Sequence, residues 1–327
     1  NNKIALGHHR LSIIDLKGGS QPTFDNASKD CLVFNGEIYG YKKHAKQLSD
    51  LGIKLNDLSD TEVLFKLLIN FGIEKTLKKI DGMFSFAYFN SVEKSLYLVR
   101  DRAGEKPLFY SIHGKYLLFG SEVKTITDFP LFQNSLNFSA IADYLQLDYV
   151  SINKTLFKNI YKVQPGEYIK YHKGKLTSHT YWKLNQENKV KISEKEAVIN
   201  LDEMIENSVK ERLISDVPIG LFLSGGIDSS LIAYYSQKYS SKIESFTIKM
   251  ENKSYDESKY ADIVSKHLGI VNHSIFLEEK DLLDSLAVIE KKLDEPLNDP
   301  SIIPTYLVSK LARKNVKVVL YLVLNNY

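Results

Sequence analysis

An apolar run, Ile219-Gly220-Leu221-Phe222-Leu223, opens directly into Ser224-Gly225-Gly226-Ile227-Asp228-Ser229-Ser230, and helix-forming residues follow at once. This strand–loop–helix passage constrains the fold more than any other stretch of the chain. Two glycines without a Cβ let backbone N–H groups approach an anion closely, and the helix behind them turns its positive end toward the same point. The loop therefore reads as a phosphate cradle. No Gly-Lys-Ser/Thr closes it, so it is not the P-loop of kinases and GTPases. Asp228 stands where a carboxylate can hold Mg2+ against the phosphates. Paired glycines alone would make an ordinary turn. The serines and the aspartate, in register with strand and helix, carry the nucleotide reading.

The same rhythm runs through the carboxyl part. Behind a polar linker over 183–194, a helix over 195–213 places Ala197, Leu201, Ile205, Val209 and Leu213 on one face. Strand 219–223, helix 229–240, strand 243–249, helix 256–268 and strand 272–277 follow, then two helical stretches and strand 316–324. Such alternation predicts a parallel sheet wrapped by helices, with ligands beyond the carboxyl ends of its strands. The amino part reads differently. Cys31–Phe34, Met83–Phe89, Ser95–Arg100, Leu108–Ile112 and Tyr116–Gly120 are aromatic and β-branched runs separated by turns, which predicts packed antiparallel sheets. A helix over Asp60–Asn70 carries Val63, Leu64, Leu67 and Leu68 as a stripe, and a short helix covers Ile141–Leu147.

The 327 residues, 43% of them apolar, suffice for two cores. A net charge of +3 without blocks of like charge points to neither nucleic acid nor a membrane surface. A single cysteine forms no internal disulfide, which fits a cytoplasmic protein.

The phosphate loop resembles that of the N-type ATP pyrophosphatases. With Val217-Pro218-Ile219-Gly220 before it, and with Ser245-Phe246-Thr247-Ile248, Tyr255-Asp256-Glu257-Ser258, Asp294-Glu295-Pro296 and Asp299-Pro300-Ser301 beyond it, the carboxyl half is similar to the synthetase domain of glutamine-dependent asparagine synthetases. The resemblance implies that aspartate attacks the α-phosphorus of ATP to give β-aspartyl-AMP and pyrophosphate, and that ammonia then displaces AMP. Ser224, Gly225, Gly226, Asp228, Ser229 and Ser230 would hold the pyrophosphate and Mg2+, and Leu223 and Ile248 would contact the adenosine. Asp294, Glu295 and Asp299 are expected to line the aspartate pocket. Asp256 and Glu257 open a helix, where the helix dipole alone favours acids.

The amino half resembles the family's partner domain, an N-terminal-nucleophile glutaminase of αββα sandwich form. The matching strings are Gly7-His8-His9-Arg10-Leu11-Ser12-Ile13-Ile14-Asp15, Asn35-Gly36-Glu37-Ile38-Tyr39, Ser59-Asp60-Thr61-Glu62, Arg100-Asp101-Arg102 and Lys106-Pro107-Leu108. An arginine, planar and two-pronged, suits the α-carboxylate of glutamine, which assigns Arg10. A carboxylate suits the α-amino group, which assigns Asp60, helped by Glu37 or its backbone. The Asn35 side chain and the Gly36 N–H would form the oxyanion hole. Leu11, Ser12, Ile13 and Ile14 complete the glutamine contacts. His8 and His9 have no clustered partners in the sequence that would make a metal site. Taken over 1–182 and 195–327, the two resemblances imply a carbon–nitrogen ligase that uses glutamine, aspartate, ATP and Mg2+. They allow a homodimer at full length.

The family's nucleophile is an amino-terminal cysteine. Residue 1 is asparagine, and Cys31 lies in an apolar strand, so the chain as given is expected neither to be whole nor to hydrolyse glutamine. The family's second acidic glycine-rich loop is likewise expected where Tyr321-Leu322-Val323-Leu324-Asn325-Asn326-Tyr327 stands. The rival readings are the same chemistry on another carboxylate, in surface-polymer or peptide-antibiotic assembly, and a non-catalytic remnant.

Overall fold

The computed structural model describes residues 4–11, 13–16, 18–187, 189–253 and 256–321. The expected glutamine contact Ser12, Tyr255, and the part of the expected last strand beyond residue 321 lie outside the described residues. The chain divides into two compact units, Asn1–Asn188 with Asp294–Asn298, and Lys189–Leu293 with Asp299–Tyr327.

In chain order the first unit comprises β1 (Thr23–Phe24), β2 (Cys31–Tyr39), α1 (Tyr41–Asp50), α2 (Asp60–Lys79), β3 (Asp81–Asn90) and β4 (Ser95–Arg100). There follow β5 (Phe109–His113), β6 (Tyr116–Gly120), α3 (Lys124–Thr127), α4 (Phe138–Leu147), β7 (Tyr161–Lys162), β8 (Glu167–His172) and β9 (Lys175–Thr180). Strands β1-β2-β3-β4-β8-β9 form one antiparallel sheet, and β6-β5-β7 a smaller one. Alternation along the strands splits the side chains between two faces. On one face Tyr88 meets Phe65 of α2 edge-on, with ring centroids 6.5 Å apart. On the other, Val33, Ala87, Leu98 and Ile169 pack with Tyr110, Leu117 and Phe119 of the smaller sheet. Phe109, Val123, Ile126 and Ile160 make a further core cluster around the smaller sheet and α3.

Helix α2 starts where Ser59 accepts a hydrogen bond from the Glu62 N–H, and its acids and lysines follow the helix dipole. It outruns the expected boundary at Asn70 because the chain bends at Gly72 (φ 75°) and then resumes helical form. Helix α1 was not expected, since only Tyr41 and Leu48 of its ten residues are buried. Beyond β4, the fully buried Asp101 accepts from the N–H groups of Phe84, Glu105 and Lys106. Arg100 donates to the carbonyls of Gly104, Lys106 and Val163. These two residues build the turn that leads into β5.

The second unit comprises α5 (Glu194–Arg212), β10 (Ile219–Phe222), α6 (Ile227–Tyr239), β11 (Glu244–Met250) and α7 (Ser258–Leu268). It continues with β12 (Val271–Leu277), α8 (Glu279–Lys292), α9 (Ile302–Ala312) and β13 (Val318–Leu320). Its sheet is parallel, in the order β12-β11-β10-β13. Leu221, Leu223, Ile232, Ala233 and Ala261 form the core under α6 and α7, and Phe246, Val308, Ala312 and Val316 form the core under α9. The stripe expected along α5 packs only from Ile205 onward, while Leu201 is exposed. At 19 residues α5 outruns the 13-residue α6 against which it lies.

Among the described residues no helix is long and apolar enough to cross a membrane, and no group of three or more His, Cys, Asp or Glu could hold a metal ion.

Candidate active sites

In the first unit a cavity of about 190 Å3 gathers Arg10, Leu11, Ile13, Ile14, Asn35, Gly36, Glu37 and Asp60. These residues come from a loop, from the middle of β2 and from the first turn of α2. Asp60 is buried and accepts from the N–H groups of Ile38 (3.0 Å) and Thr61 (2.9 Å). Burial raises its carboxyl from the ordinary 3.8 to about 6, against those hydrogen bonds and the nearby charge of Arg10. Gly36 adopts φ 142°, and a Cβ there would lie 2.0 Å from the carbonyl oxygen of Met83. Only glycine lets β2 and β3 pass this closely. The Asn35 Nδ2 donates to Ser121 Oγ at 3.2 Å.

Arg10 is spent differently from the expectation. Its Nη1 donates to the carbonyl of Gly18 and its Nη2 to that of Ile14, both at 2.6 Å, and both share the Asp15 carbonyl at 3.3 Å. The fork thus holds the carbonyls of Ile14, Asp15 and Gly18 and brings positive charge, not two free prongs, to the cavity. Asp15 and Asp57 tie these residues to the start of α2 through the N–H groups of Leu58 and Gly19. Burial, with Arg10 and His9 close by, holds the His8 imidazole below its usual range. Cys31, at the start of β2, is half-buried, and burial pushes its thiol up, away from nucleophilic character.

In the second unit a cavity of about 460 Å3 includes Leu223, Ser224, Gly226, Asp228, Ser229 and Ile248 in its lining, at the carboxyl ends of β10 and β11. Gly225 (φ 84°) is forced by packing, since a Cβ would lie 2.5 Å from Tyr260 and Ala261 of α7. Gly226 caps α6, so the free N–H groups of the first turn of that helix emerge beside Asp228. Ser224 and Ser229 share a hydrogen bond at 3.0 Å. Gly225 and Ser230 do not line the cavity. Leu223 belongs to the core, and its carbonyl and N–H are already paired, with Thr247 Oγ1 and the Phe246 carbonyl. It therefore offers the cavity apolar surface alone.

The carboxyl half of the chain, residues 200–321, matches an asparagine synthase profile, and residues 1–182 match a glutamine amidotransferase domain profile. The chain belongs to the glutamine-hydrolysing asparagine synthetase family. It is 34% identical to asparagine synthetase (glutamine-hydrolyzing) 1 of Bacillus subtilis, over 97% of this chain and 50% of that protein. Putative asparagine synthetase (glutamine-hydrolyzing) 2 of Methanocaldococcus jannaschii is 32% identical over 98% and 65%, respectively. The amidase chry2 of Gibberella zeae is 30% identical over 91% and 47%. The chain thus spans about half to two thirds of the length of these relatives.

In this asparagine synthetase family member, the three acids expected in an aspartate pocket each have other partners, Asp294 and Glu295 within the first unit and Asp299 within the second. Asp294 accepts from the Val123 N–H at 2.6 Å and faces Lys124 at 3.6 Å. Glu295 accepts from the Leu156 N–H and pairs with Lys162 at 2.9 Å. Both carboxylates are placed in the first unit by these contacts. Asp299 accepts from the Ser301 N–H at the entry to α9. The two acids before α7 separate. Asp256 accepts from the N–H and Oγ of Ser258, whereas Glu257 lines the cavity. Sequence reasoning missed Thr305 and Val308 of α9, and it quoted Lys106 in a matching string without giving it a role in the first cavity. Helical spacing marks Val308 as apolar, but which strand end α9 faces depends on the pairing of β13 with β10, which no local pattern encodes.

Proposed function

We propose that this chain is the glutamine-binding domain and the first part of the ATP-using domain of an enzyme that amidates aspartate with nitrogen from glutamine. What supports the reading is the pair of cavities, each lined by residues that the corresponding half of the family would use. The first unit is read as an N-terminal-nucleophile sandwich. Glutamine enters its cavity with the α-carboxylate toward the charge of Arg10 and the ammonium toward the ionised Asp60 and Glu37. The attacking group would be the amino-terminal cysteine that the resemblance implies and that the given residues do not include. Its attack on the side-chain amide puts negative charge on the amide oxygen, which the Asn35 Nδ2–H and the Gly36 N–H receive. The glutamyl group stays on that sulfur for water to hydrolyse once ammonia has left. Collapse of the tetrahedral intermediate breaks the C–N bond and releases ammonia.

In the second unit the β- and γ-phosphates lie over the first turn of α6, with the hydroxyls of Ser224 and Ser229 as further donors. The aspartate carboxylate attacks the α-phosphorus, and the bond to pyrophosphate breaks. Ammonia then attacks the acyl carbon, and AMP leaves. Asp228 fits Mg2+: its carboxylate lines the cavity, and no ion pair to it is found among the described residues. Magnesium needs only one or two carboxylates beside the phosphates, and it would neutralise charge on the departing pyrophosphate.

One observation favours a second reading, the same chemistry on another carboxylate. Asp294, Glu295 and Asp299 are tied up elsewhere, so they do not select aspartate at the ATP cavity. The test is AMP release by the full-length protein from glutamine and Mg-ATP with and without aspartate. Release that requires aspartate supports the first reading, and release indifferent to aspartate removes it.

A further inference from the structure

Asn35 sits in β2 of the larger sheet, and Ser121 follows directly on β6 of the smaller one. The hydrogen bond of 3.2 Å between them spans 86 residues of sequence and joins one sheet to the other. An asparagine amide carries two N–H hydrogens, and its terminal torsion is broad and nearly two-fold. Left alone, it would present its oxygen to the oxyanion hole about as readily as its nitrogen. An oxygen there would repel the charge it is meant to receive. One hydrogen fixed on Ser121 Oγ sets the plane and leaves the other hydrogen aimed elsewhere. Both residues line a cavity of about 480 Å3 that also shares His8, His9 and Phe34 with the glutamine cavity.

The turn that carries Ser121 is itself held tightly. A Cβ on Gly120 would lie 2.7 Å from Thr125, so the chain folds back on itself there. Val123 is buried, and its N–H is taken by Asp294 Oδ2 at 2.6 Å. We propose that Ser121 is a positioning residue that orients the oxyanion donor Asn35, and that Asp294 positions Ser121 by anchoring its turn. This rests on the reading of Asn35 as an oxyanion donor. It gives Asp294 a place in glutamine chemistry instead of in an aspartate pocket.

The experiment compares wild type, Ser121→Ala, Ser121→Thr and Asp294→Asn in steady-state glutamine hydrolysis, with the Asn35 side-chain amide followed by NMR in each. Loss of the outer partner of a metal-ligating side chain costs about 10- to 100-fold, and an oxyanion donor left unoriented is expected to cost at the lower end of that range. Ser121→Ala is expected to lower kcat by about tenfold with KM changed less than about twofold. Ser121→Thr keeps the hydroxyl and is expected to restore most of the rate, and Asp294→Asn to fall between them. An unchanged kcat in Ser121→Ala overturns the proposal, as does equal damage in Ser121→Ala and Ser121→Thr, or a change confined to KM. Because the chain as given is expected to hydrolyse no glutamine, the kinetic arm uses the enzyme with the family's amino-terminal cysteine. There an Asn35→Ala variant that keeps its rate removes the reading of Asn35 as an oxyanion donor, and the NMR arm decides the positioning in either case. Faster exchange of the Asn35 amide hydrogens in Ser121→Ala and Asp294→Asn, but not in Ser121→Thr, is the expected result. Indistinguishable signals in all four proteins overturn it.

Discussion

Asp60 shows how burial sets chemistry at a single residue. Its carboxyl is lifted to about 6 because water is excluded from it, while two N–H groups and Arg10 keep it from rising further. The native protein therefore binds a proton there more tightly than the unfolded chain does. Stability from this group is fullest below the ordinary 3.8, falls as pH rises from there toward about 6, and is level above that. If Asp60 holds the glutamine ammonium as proposed, that binding has the opposite slope, because it needs the ionised form. Glutamine affinity is predicted to rise as pH increases through about 6 and to level off above it. Asp60→Asn should bind weakly and without that step. Calorimetric titration across the range checks both, and a flat wild-type profile would contradict the assignment.

Elements place these residues, and two substitutions probe the placement. Ser59 caps α2 one residue before Asp60, and its hydroxyl accepts from the Glu62 N–H. Ser59→Ala should cost about 1 kcal/mol in urea unfolding. It should also weaken glutamine, since the cap fixes the turn that presents Asp60. Gly225 is stricter. Its left-handed backbone and its approach to 2.5 Å from α7 leave no room for a methyl group. Gly225→Ala is predicted to destabilise the second unit by about 2 to 4 kcal/mol and to abolish nucleotide binding. A variant that melts like wild type and still binds ATP would show that α6 and α7 do not need this contact.

At this scale the sequence was legible where side chains repeat with a strong period. The stripe Val63, Leu64, Leu67 and Leu68 marked α2, and all four are buried. The period was silent for α1, whose Tyr41 and Leu48 are too far apart to reveal a face. The strand–loop–helix passage around Ser224 was legible because one strand, one turn and one helix carry it. The partners of Arg10 were not. Arginine chemistry allows a carboxylate or three carbonyls equally well, and only the placing of the carbonyls of Ile14, Asp15 and Gly18 decides. Asp294 and Glu295 were misjudged for a related reason. Their proline-broken segment looks like the rim of a pocket, but its contacts at Val123 and Leu156 lie about 140 to 170 residues away in sequence.

At the scale of the whole molecule, each unit has its own sheets and its own core, so each is expected to unfold as a unit. A ligand bound to one native unit stabilises that unit, by about 2.7 kcal/mol at a hundred times its dissociation constant. Glutamine should therefore raise one calorimetric transition and Mg-ATP the other. The central claim is that the loop from Ser224 to Ser230 holds the phosphates of ATP with Asp228 beside the metal. The most direct test is differential scanning calorimetry of wild type and Asp228→Asn with saturating Mg-ATP. Mg-ATP should raise one transition of the wild type, and Asp228→Asn should lose most of that shift while melting normally without ligand. A wild type whose transitions ignore Mg-ATP, or an Asp228→Asn protein that shifts as much as wild type, would contradict the claim.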